Sequence, residues 1–258
     1  VYAGHIDMPD RGKDGTPANE RRFGQEELCG VFGKLERVTQ AMDRLGYHSM
    51  WMAEHHFQHE GYEVLPNSLM AAVHPCRITE QLRIGCGFKI APMWHPLRLA
   101  EDYAQADLMT SGRTIFGVGR GYHSREVETF GMPVLDQDAN RELFEEQVEV
   151  LFKAFHEESF SHKGKYYKLP AEVPYRGYEL REISVVPRPV NQPVECWQPV
   201  VGAKPGGLDF MHKYGMKGFI GGGAATLEAG PICAYQEAGQ RAGKDLRLGD
   251  GINIGLHM

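Results

Sequence analysis

Four residues that could carry chemistry, Glu54-His55-His56-Phe57, directly follow the mostly apolar segment 47–53. A short apolar segment is typical of a buried parallel strand, so we predict that these side chains stand at the carboxyl end of a strand. Neighbouring residues on a strand point to opposite sides, so His55 and His56 should face different surroundings. We expect one to do chemistry and the other to support it. Histidine titrates near neutral pH, which favours proton transfer as that chemistry.

A metal site is an alternative for this run, because His55, His56, His59 and Glu60 lie close together in the sequence. Their spacing does not match the helical His-Glu-x-x-His pattern of zinc enzymes. We therefore expect no metal ion here. Two purely structural histidines remain an open alternative.

Two further segments carry glycines at strand ends. Residues 85–92 include Gly85, Gly87 and Phe88, and glycine inside a strand marks a bulge or a close approach of backbone to a ligand. A flat ligand stacked on this backbone is one interpretation, and tolerant packing inside a barrel is the other. Residues 117–123 are Gly-rich, but the long helix begins only near residue 140, which argues against a dinucleotide fingerprint. Arg120 could still hold a phosphate.

A fourth segment, 202–207, follows a strand and opens a helix. Free backbone N–H groups at a helix N-terminus attract anions, and Lys204 adds a positive charge. The segment therefore predicts an anion site, with a simple turn as the alternative.

The elements that must position these residues alternate between strand and helix. Apolar periodicity predicts helices at residues 35–45, 96–109, 140–155, 207–214 and 231–242, the third capped by Asp138 or Asn140. Strands are predicted at 47–53, 82–90, 114–118, 218–220 and 246–254, and a further strand is predicted to end at Val200-Val201. The proline-rich segment 157–199 breaks the pattern and is interpreted as an insertion with a hairpin tip at 162–165. No clear first strand stands out in residues 1–8.

This alternation in one domain, residues 1–258, predicts parallel βαβ units and favours a closed (β/α)8 TIM-type barrel over an open sheet. In such barrels the reactive residues lie at the carboxyl ends of the strands, where all four segments fall.

Composition narrows the function classes. The net charge of −6 argues against a nucleic-acid or anionic-membrane surface. No apolar run approaches the ~18–20 residues of a membrane span, and the first residues lack the pattern of a secretory signal. The five cysteines include no Cys-x-x-Cys pair, which favours a reducing, cytoplasmic location.

With these segments in hand, the sequence resembles the bacterial-luciferase-like family of flavin-dependent monooxygenases. The resemblance lies in residues 45–57 and 95–102, in the segment from Gly112-Arg113 to Gly121-Tyr122, and in Phe130-Gly131 and Val186-Pro187-Arg188-Pro189. It covers residues 33–222, and the order of these motifs is more specific than any one of them.

The resemblance implies a reduced FMN at the barrel mouth, whose reaction with O₂ gives a C4a-hydroperoxide that oxygenates a small organic substrate. It also implies a separate NAD(P)H:flavin reductase as the supplier of reduced flavin, and a homodimer. By position, His55 matches the histidine that handles protons near the flavin, and His56 is its companion.

The resemblance implies cofactor-binding roles for several other residues. Gly87–Phe88 matches a non-prolyl cis peptide that faces the flavin ring. Arg120, Tyr122 and the Lys204–Gly207 turn, with Gly206, match the phosphate-binding region. Glu54, His123 and Ala203 are further residues expected to bind the cofactor.

The chain departs from the family pattern in two places. Gly119 stands where luciferase has a reactive cysteine, so light emission is not expected. The chain stops just after a predicted strand, so we expect at least one βα unit to be missing, from an incomplete chain or from a shortened barrel. Two alternatives stay open: an oxidoreductase that uses the deazaflavin F420, which does not activate O₂, and a non-catalytic flavin-binding protein.

Overall fold

The computed structural model describes residues 1–6, 20–61, 63–202, 204–221 and 225–255, and for residues 225–228 it describes the backbone only. The elements in chain order are α1 (Gln25–Arg44), β1 (Ser49–Met52), α2 (Ser68–Arg77), β2 (Arg83–Cys86), β3 (Lys89–Ile90), a 3₁₀ turn (Ala91–Met93), α3 (Pro96–Met109), β4 (Thr114–Gly119), α4 (Ser124–Val127), α5 (Gln137–His156), β5 (His162–Lys163), β6 (Lys168–Leu169), β7 (Pro174–Tyr175), β8 (Tyr178–Glu179), β9 (Cys196–Pro199), α6 (Pro205–Lys213), β10 (Lys217–Ile220), α7 (Ala225–Arg241) and β11 (Ile252–Ile254).

The chain forms two compact units. The first consists of Val1–Lys89, Arg113–Val118 and Glu195–Met258, and the second consists of Ile90–Gly112 and Gly119–Val194. The first unit contains most of the sheet and the second most of the proline-rich segment, so each is described by itself.

The first unit is built on a parallel sheet with the strand order β1-β2-β4-β9-β10-β11, and β3 pairs with β4. Every pairing along this order for which the register is described is parallel. Tyr2 adds a parallel bridge beside Met52, with the Tyr2 N–H donating to the Trp51 carbonyl at 2.7 Å. The sheet is therefore a half-barrel of parallel strands in the α/β class. Tyr2, near the start of the chain, pairs with its β1 edge.

The two faces of the sheet bury different side chains because residues alternate along a strand. On β1, Met50 and Met52 lie in one core cluster, together with Leu35 of α1 and Ala72 of α2. Trp51 lies between them in sequence but packs into a separate cluster with Ile115, Phe219, Phe88, Trp197 and Val1. The helix-covered face is thus mostly aliphatic, with the ring of Tyr2 as an exception, and the other face is rich in aromatic rings.

The second unit is organised around α3 and α5, whose side chains Tyr103 and Phe155 meet with ring centroids 5.3 Å apart. Buried Asp107 of α3 accepts the backbone N–H of Val190 at 2.8 Å and that of Asn191 at 3.3 Å, which ties the proline-rich segment to the helix. That segment forms two short antiparallel hairpins, β5–β6 and β7–β8.

Most predicted elements are confirmed. The helix predicted at 96–109 is α3 with the same bounds, and the strands predicted at 47–53, 114–118 and 218–220 are β1, β4 and β10. A hairpin does form at 162–169, but its tip is residues 164–167 and only overlaps the predicted tip at 162–165, because His162 and Lys163 form strand β5.

Several boundaries were wrong. Asp136, and neither Asp138 nor Asn140, caps α5, because its carboxylate accepts the N–H groups of the first turn at 3.2 and 3.0 Å. The insertion predicted at 157–199 ends earlier, since Cys196–Pro199 is β9 of the main sheet. Residues 82–90 contain two strands, β2 and β3, and of the last predicted strand only Ile252–Ile254 is assigned as a strand.

Two helices were not predicted or were misplaced. Helix α2 was missed because His74 and Pro75 interrupt its apolar period, although Asn67 caps it by accepting the Met70 N–H at 3.0 Å. Helix α7 begins at Ala225, six residues before its predicted start at Pro231. Among the described helices, none combines the length and the apolar character needed to cross a membrane.

Candidate functional site

The carboxyl end of β1 carries both histidines in buried or nearly buried positions. The backbone N–H of His55 donates to the Leu65 carbonyl at 3.1 Å, which fixes this segment beyond the strand. The imidazoles have different carboxylate neighbours: His55 Nε2 lies 3.2 Å from Glu63 Oε2, and His56 Nε2 lies 3.6 Å from Glu54 Oε1. Each ring therefore has a carboxylate neighbour that can orient it.

Glu54 itself is fully buried and forms a direct ion pair with Lys89, which is also fully buried. Lys89 Nζ additionally lies 3.5 Å from Asn67 Oδ1, at the N-terminus of α2. The carboxylate that the sequence placed among the cofactor ligands is thus surrounded by a protein cation and by the imidazole of His56.

Gly87 and Phe88 lie beside the end of β1. The peptide bond between them is cis, as the resemblance implied, and the Gly87 N–H donates to the Met52 carbonyl at 2.7 Å. The Phe88 ring packs against Trp51 and Phe219, with centroid distances of 6.3 and 5.6 Å. Backbone and ring of this segment are therefore both held against the sheet.

Glycines allow this close packing. A Cβ atom at Gly117 would lie 1.9 Å from the Cys86 carbonyl oxygen, and one at Gly85 would lie 2.5 Å from the Trp51 ring. At these two positions the approaching atoms belong to the protein itself, which fits the packing alternative for Gly85.

The aromatic face next to this segment contains a polar atom. Trp51 packs against Trp197 at 5.4 Å and Phe219 at 4.9 Å between ring centroids. Its indole N–H is buried and has no hydrogen-bond partner within the described part of the chain. A buried donor in this state would gain from an acceptor on a bound molecule.

The predicted anion site at 202–207 lies at the start of α6. Lys204 is the N-cap residue and makes no side-chain capping bond, and Gly206 and Gly207 follow in the first turn. Both glycines are exposed and have open space where a Cβ would stand, and N–H groups in the first turn of a helix have no intrahelical acceptor. Ala203, also predicted to bind cofactor, lies outside the described residues.

Three predicted cofactor residues belong to the second unit. The Arg120 guanidinium donates to Gln137 Oε1 at 3.0 Å, and burial followed by the nearby charge of Arg141 lowers the Arg120 pKa. Tyr122 is largely exposed, and its ring lies 4.9 Å from that of His123. The backbone carbonyl of His123 accepts the N–H of Glu126 at the start of α4.

Three residues with a place in this geometry were not identified from the sequence: Lys89, Glu63 and Trp51. Lys89 had a detectable signal, because a lysine between Phe88 and Ile90 in an apolar strand must bury its charge or leave the sheet. The pairing of Glu63 with His55 had none, because the loop between β1 and α2 has no regular period.

Comparisons with known proteins bear on the same region. The model of the family described as luciferase-like monooxygenase matches residues 10–255. The oxygenase component of the flavin-dependent trigonelline monooxygenase of Acinetobacter baylyi is 26% identical over 174 residues, which are 67% of this chain and 44% of that protein. The alkanal monooxygenase α chain of the Kryptophanaron alfredi symbiont is 31% identical over 140 residues, 54% of this chain and 38% of that one. The aligned region thus spans less than half of each relative.

Solved structures share the fold. The oxygenating constituent of a Pseudomonas putida 3,6-diketocamphane monooxygenase, in complex with FMN, superposes with a TM-score of 0.73 at 17% identity, covering 92% of this chain and 64% of that chain. An F420-dependent secondary alcohol dehydrogenase superposes with a TM-score of 0.68 at 19% identity, covering 86% of this chain and 63% of that chain. At these identities the likeness concerns the fold, and it does not separate the two cofactors.

Proposed function

Because this chain belongs to the luciferase-like monooxygenase family, we propose that it carries the flavin site of an enzyme that uses reduced FMN and O₂ to oxygenate a small organic substrate. The observation that carries the proposal is the arrangement at the end of β1. There His55 lies beside Glu63, and the last strand residue, Met52, accepts a backbone hydrogen bond from Gly87, the neighbour of Phe88. A proton-handling side chain and a flat, glycine-lined backbone are thereby held on adjacent strands.

The residues present fit a flavin mononucleotide. A flat conjugated ring suits the aromatic face formed by Trp51, Phe88, Trp197 and Phe219, where the Trp51 N–H can donate to a ring carbonyl. A phosphate suits the start of α6, where Lys204, Gly206 and Gly207 are exposed and the N–H groups of the first turn have no intrahelical acceptor. The cofactor-binding roles of Glu54, Arg120, Tyr122, His123 and Ala203 stay predictions.

The division of labour follows from the chemistry of these groups. When bound, reduced FMN supplies the electrons that activate O₂ for transfer of one oxygen atom to the substrate. His55 holds or releases a proton at Nε2, which lies 3.2 Å from Glu63 Oε2, and its buried position excludes water. The catalytic role of His56 remains a prediction.

A separate NAD(P)H:flavin reductase completes the proposal. The Acinetobacter relative is named as an oxygenase component, which supports a two-component system in which another protein reduces the flavin. We further propose that the parallel sheet is part of a closed (β/α)8 barrel and that the protein acts as a homodimer, as the resemblance implies.

The test combines the purified protein with FMN, NADH, a flavin reductase, ¹⁸O₂ and a panel of small organic substrates. Incorporation of one ¹⁸O atom into a product is the expected result. FMN binding without any oxygenated product over the panel would favour the non-catalytic flavin-binding alternative.

The F420 alternative needs its own titration. Reduced FMN and reduced F420 are titrated anaerobically into the same protein preparation. We expect reduced FMN to saturate the protein at a lower concentration than reduced F420 does. Tight F420 binding with no FMN affinity would reverse the proposal, because F420 does not activate O₂.

The first prediction concerns His55. Replacing it with alanine removes the proposed proton donor or acceptor but no proposed contact to the phosphate, so kcat should fall by about 100-fold while binding of reduced FMN is retained. Steady-state turnover and anaerobic flavin binding measure the two effects. His74→Ala is the matched control, because His74 pairs with Glu36 in an exposed position on α2. Unchanged turnover in His55→Ala would remove His55 from this role.

A further inference from the structure

The ion pair between Glu54 and Lys89 lacks an explanation in the proposed chemistry. Both side chains are 0% exposed, so two charges have been taken out of water. The attraction within a buried pair commonly fails to offset that desolvation, and apolar residues of similar size are often as stable. A buried pair at this position therefore points to a geometric role more than to a gain in stability.

Each charge also has a second polar neighbour from another part of the chain. Asn67 Oδ1 lies 3.5 Å from Lys89 Nζ and also accepts the Met70 N–H at 3.0 Å, which places it at the N-terminus of α2. On the other side, His56 Nε2 lies 3.6 Å from Glu54 Oε1. The pair thus connects the end of β1, the start of β3 and the start of α2.

The positions of Glu54 and Lys89 in the sequence show which segments the ion pair connects. Glu54 directly precedes His55, and Lys89 directly follows Phe88. The backbone bond from Gly87 N–H to the Met52 carbonyl holds one side of the Gly87–Phe88 segment, and the ion pair holds the residue on its other side. The segment is therefore fixed to the end of β1 at two points.

We infer that Glu54 and Lys89 are positioning residues, whose buried ion pair sets the placement of Phe88 relative to the strand end that carries His55. The inference rests on the proposed function, because the ligand that benefits is the flavin. A binding site that is already ordered before the flavin binds loses less affinity to the entropic cost of ordering its side chains.

The experiment compares stability with binding. Single changes such as Lys89→Met leave one charge buried alone and can unfold the chain, so the main variant is the double change Glu54→Met with Lys89→Met, which keeps both stems and removes both charges. We expect thermal stability close to that of the wild type, binding of reduced FMN weaker by about tenfold or more, and altered near-ultraviolet circular dichroism of the flavin-free protein. The dichroism reports the packing of Phe88 against Trp51.

Two further variants complete the design. Glu54→Asp keeps the charge but shortens the stem, and should weaken binding of reduced FMN less than the double variant does while the protein stays folded. Glu172→Gln with Lys168→Met neutralises an exposed pair and should leave binding and dichroism unchanged.

The outcomes separate the two proposals. Wild-type FMN affinity in a folded double variant, or in Glu54→Asp if the double variant does not fold, overturns the positioning role. If the wild-type protein itself binds no FMN, the proposed function fails, and the dichroism of the flavin-free variants still decides whether the pair places Phe88: an unchanged spectrum overturns it.

Discussion

At the carboxyl end of β1, three consecutive titratable residues meet three different environments. Glu54 is buried against Lys89, His55 pairs with Glu63, and His56 lies within 3.6 Å of the Glu54 carboxylate. Alternation along an extended chain separates neighbouring side chains, so one short run can supply both a proton carrier and its support. The two histidines therefore face different surroundings, as alternation along the chain predicts.

Gly117 gives a second prediction at the residue scale. A methyl group at this position would meet the Cys86 carbonyl at 1.9 Å and the Phe88 ring at 3.0 Å, so Gly117→Ala should destabilise the protein by about 1–3 kcal/mol through overpacking. Denaturant unfolding monitored by circular dichroism measures the effect.

Gly30 of α1 is the matched control for this prediction. It has open space where a Cβ would stand, so Gly30→Ala should stabilise the helix by about 0.5–1 kcal/mol. Equal free energies of unfolding for the two variants would show that the space at Gly117 is not restricted as described.

At the scale of elements, one carboxylate anchors the β5–β6 hairpin to α5. Glu146 accepts the backbone N–H groups of Lys165, Tyr166 and Tyr167 at 2.8–3.1 Å, and His162 Nε2 lies 3.2 Å away. Burial alone would raise the Glu146 pKa, but these hydrogen bonds outweigh burial and lower it. The hairpin therefore depends on an ionised side chain from another element.

The third prediction follows from this anchor. Hydrogen bonds to a charged acceptor contribute about 1.5–3 kcal/mol each, so in Glu146→Gln the amides of residues 165–167 should exchange with solvent at least about tenfold faster. Hydrogen exchange at neutral pH, followed by mass spectrometry, measures the change. Glu158→Gln, at an exposed position after α5, is the control and should leave these amides unchanged.

Acid should reproduce the effect in the wild type. Because the folded Glu146 pKa is below its ordinary value of 4.5, the anchoring contribution is present above that value and is lost as the pH falls through the folded pKa. Protection of these amides that is independent of both pH and substitution would contradict the anchor.

At the scale of the whole molecule, a charged group links strands that are far apart in sequence. Glu195, just before β9, accepts from Arg83 at the start of β2 at 2.9 Å and from Lys217 at the start of β10 at 2.7 Å. The Trp197 indole N–H donates to the same carboxylate at 3.0 Å. These contacts lie at the amino ends of the strands, opposite the candidate site, where side chains of such sheets serve stability.

The fourth prediction uses the titration of Glu195. Burial alone would raise its pKa, but the hydrogen bonds and charges of Lys217 and Arg83 lower it to about 2. Because the Glu195 pKa is lower in the folded protein than its ordinary value of 4.5, ionised Glu195 stabilises the fold at pH values above 4.5. This contribution is lost as the pH falls toward 2. Glu195→Gln should therefore be less stable than the wild type at pH 7, by on the order of 1 kcal/mol because the group is partly solvated.

Urea unfolding at a series of pH values measures this difference. The stability curves of the wild type and Glu195→Gln should converge as the pH approaches 2. Glu179→Gln is the control, since its partner Arg181 is 82% exposed and the pair is open to solvent. A stability difference that stays constant with pH would show that Glu195 acts without its charge.

The sequence alone determined the class of fold, the position of the candidate site along the chain and the family. The period of apolar residues marks α3, α5, β1 and β4, because burial on one face or on both faces leaves a local pattern. The polar run that begins at Glu54 and the glycines near Phe88 could be recognised as strand ends for the same reason. These features depend on neighbours within a few residues.

Only the tertiary structure decided which residues meet. Glu54 and Lys89 are 35 positions apart and Arg83 and Glu195 are 112 positions apart, and no local period relates them. Their contacts follow from the register in which parallel strands pair, and register is set when all the strands pack together. The same packing assigned Glu63 to His55 and filled the space at Gly85 with Trp51, because a buried polar or aromatic side chain takes its partner from whichever segment the fold brings beside it.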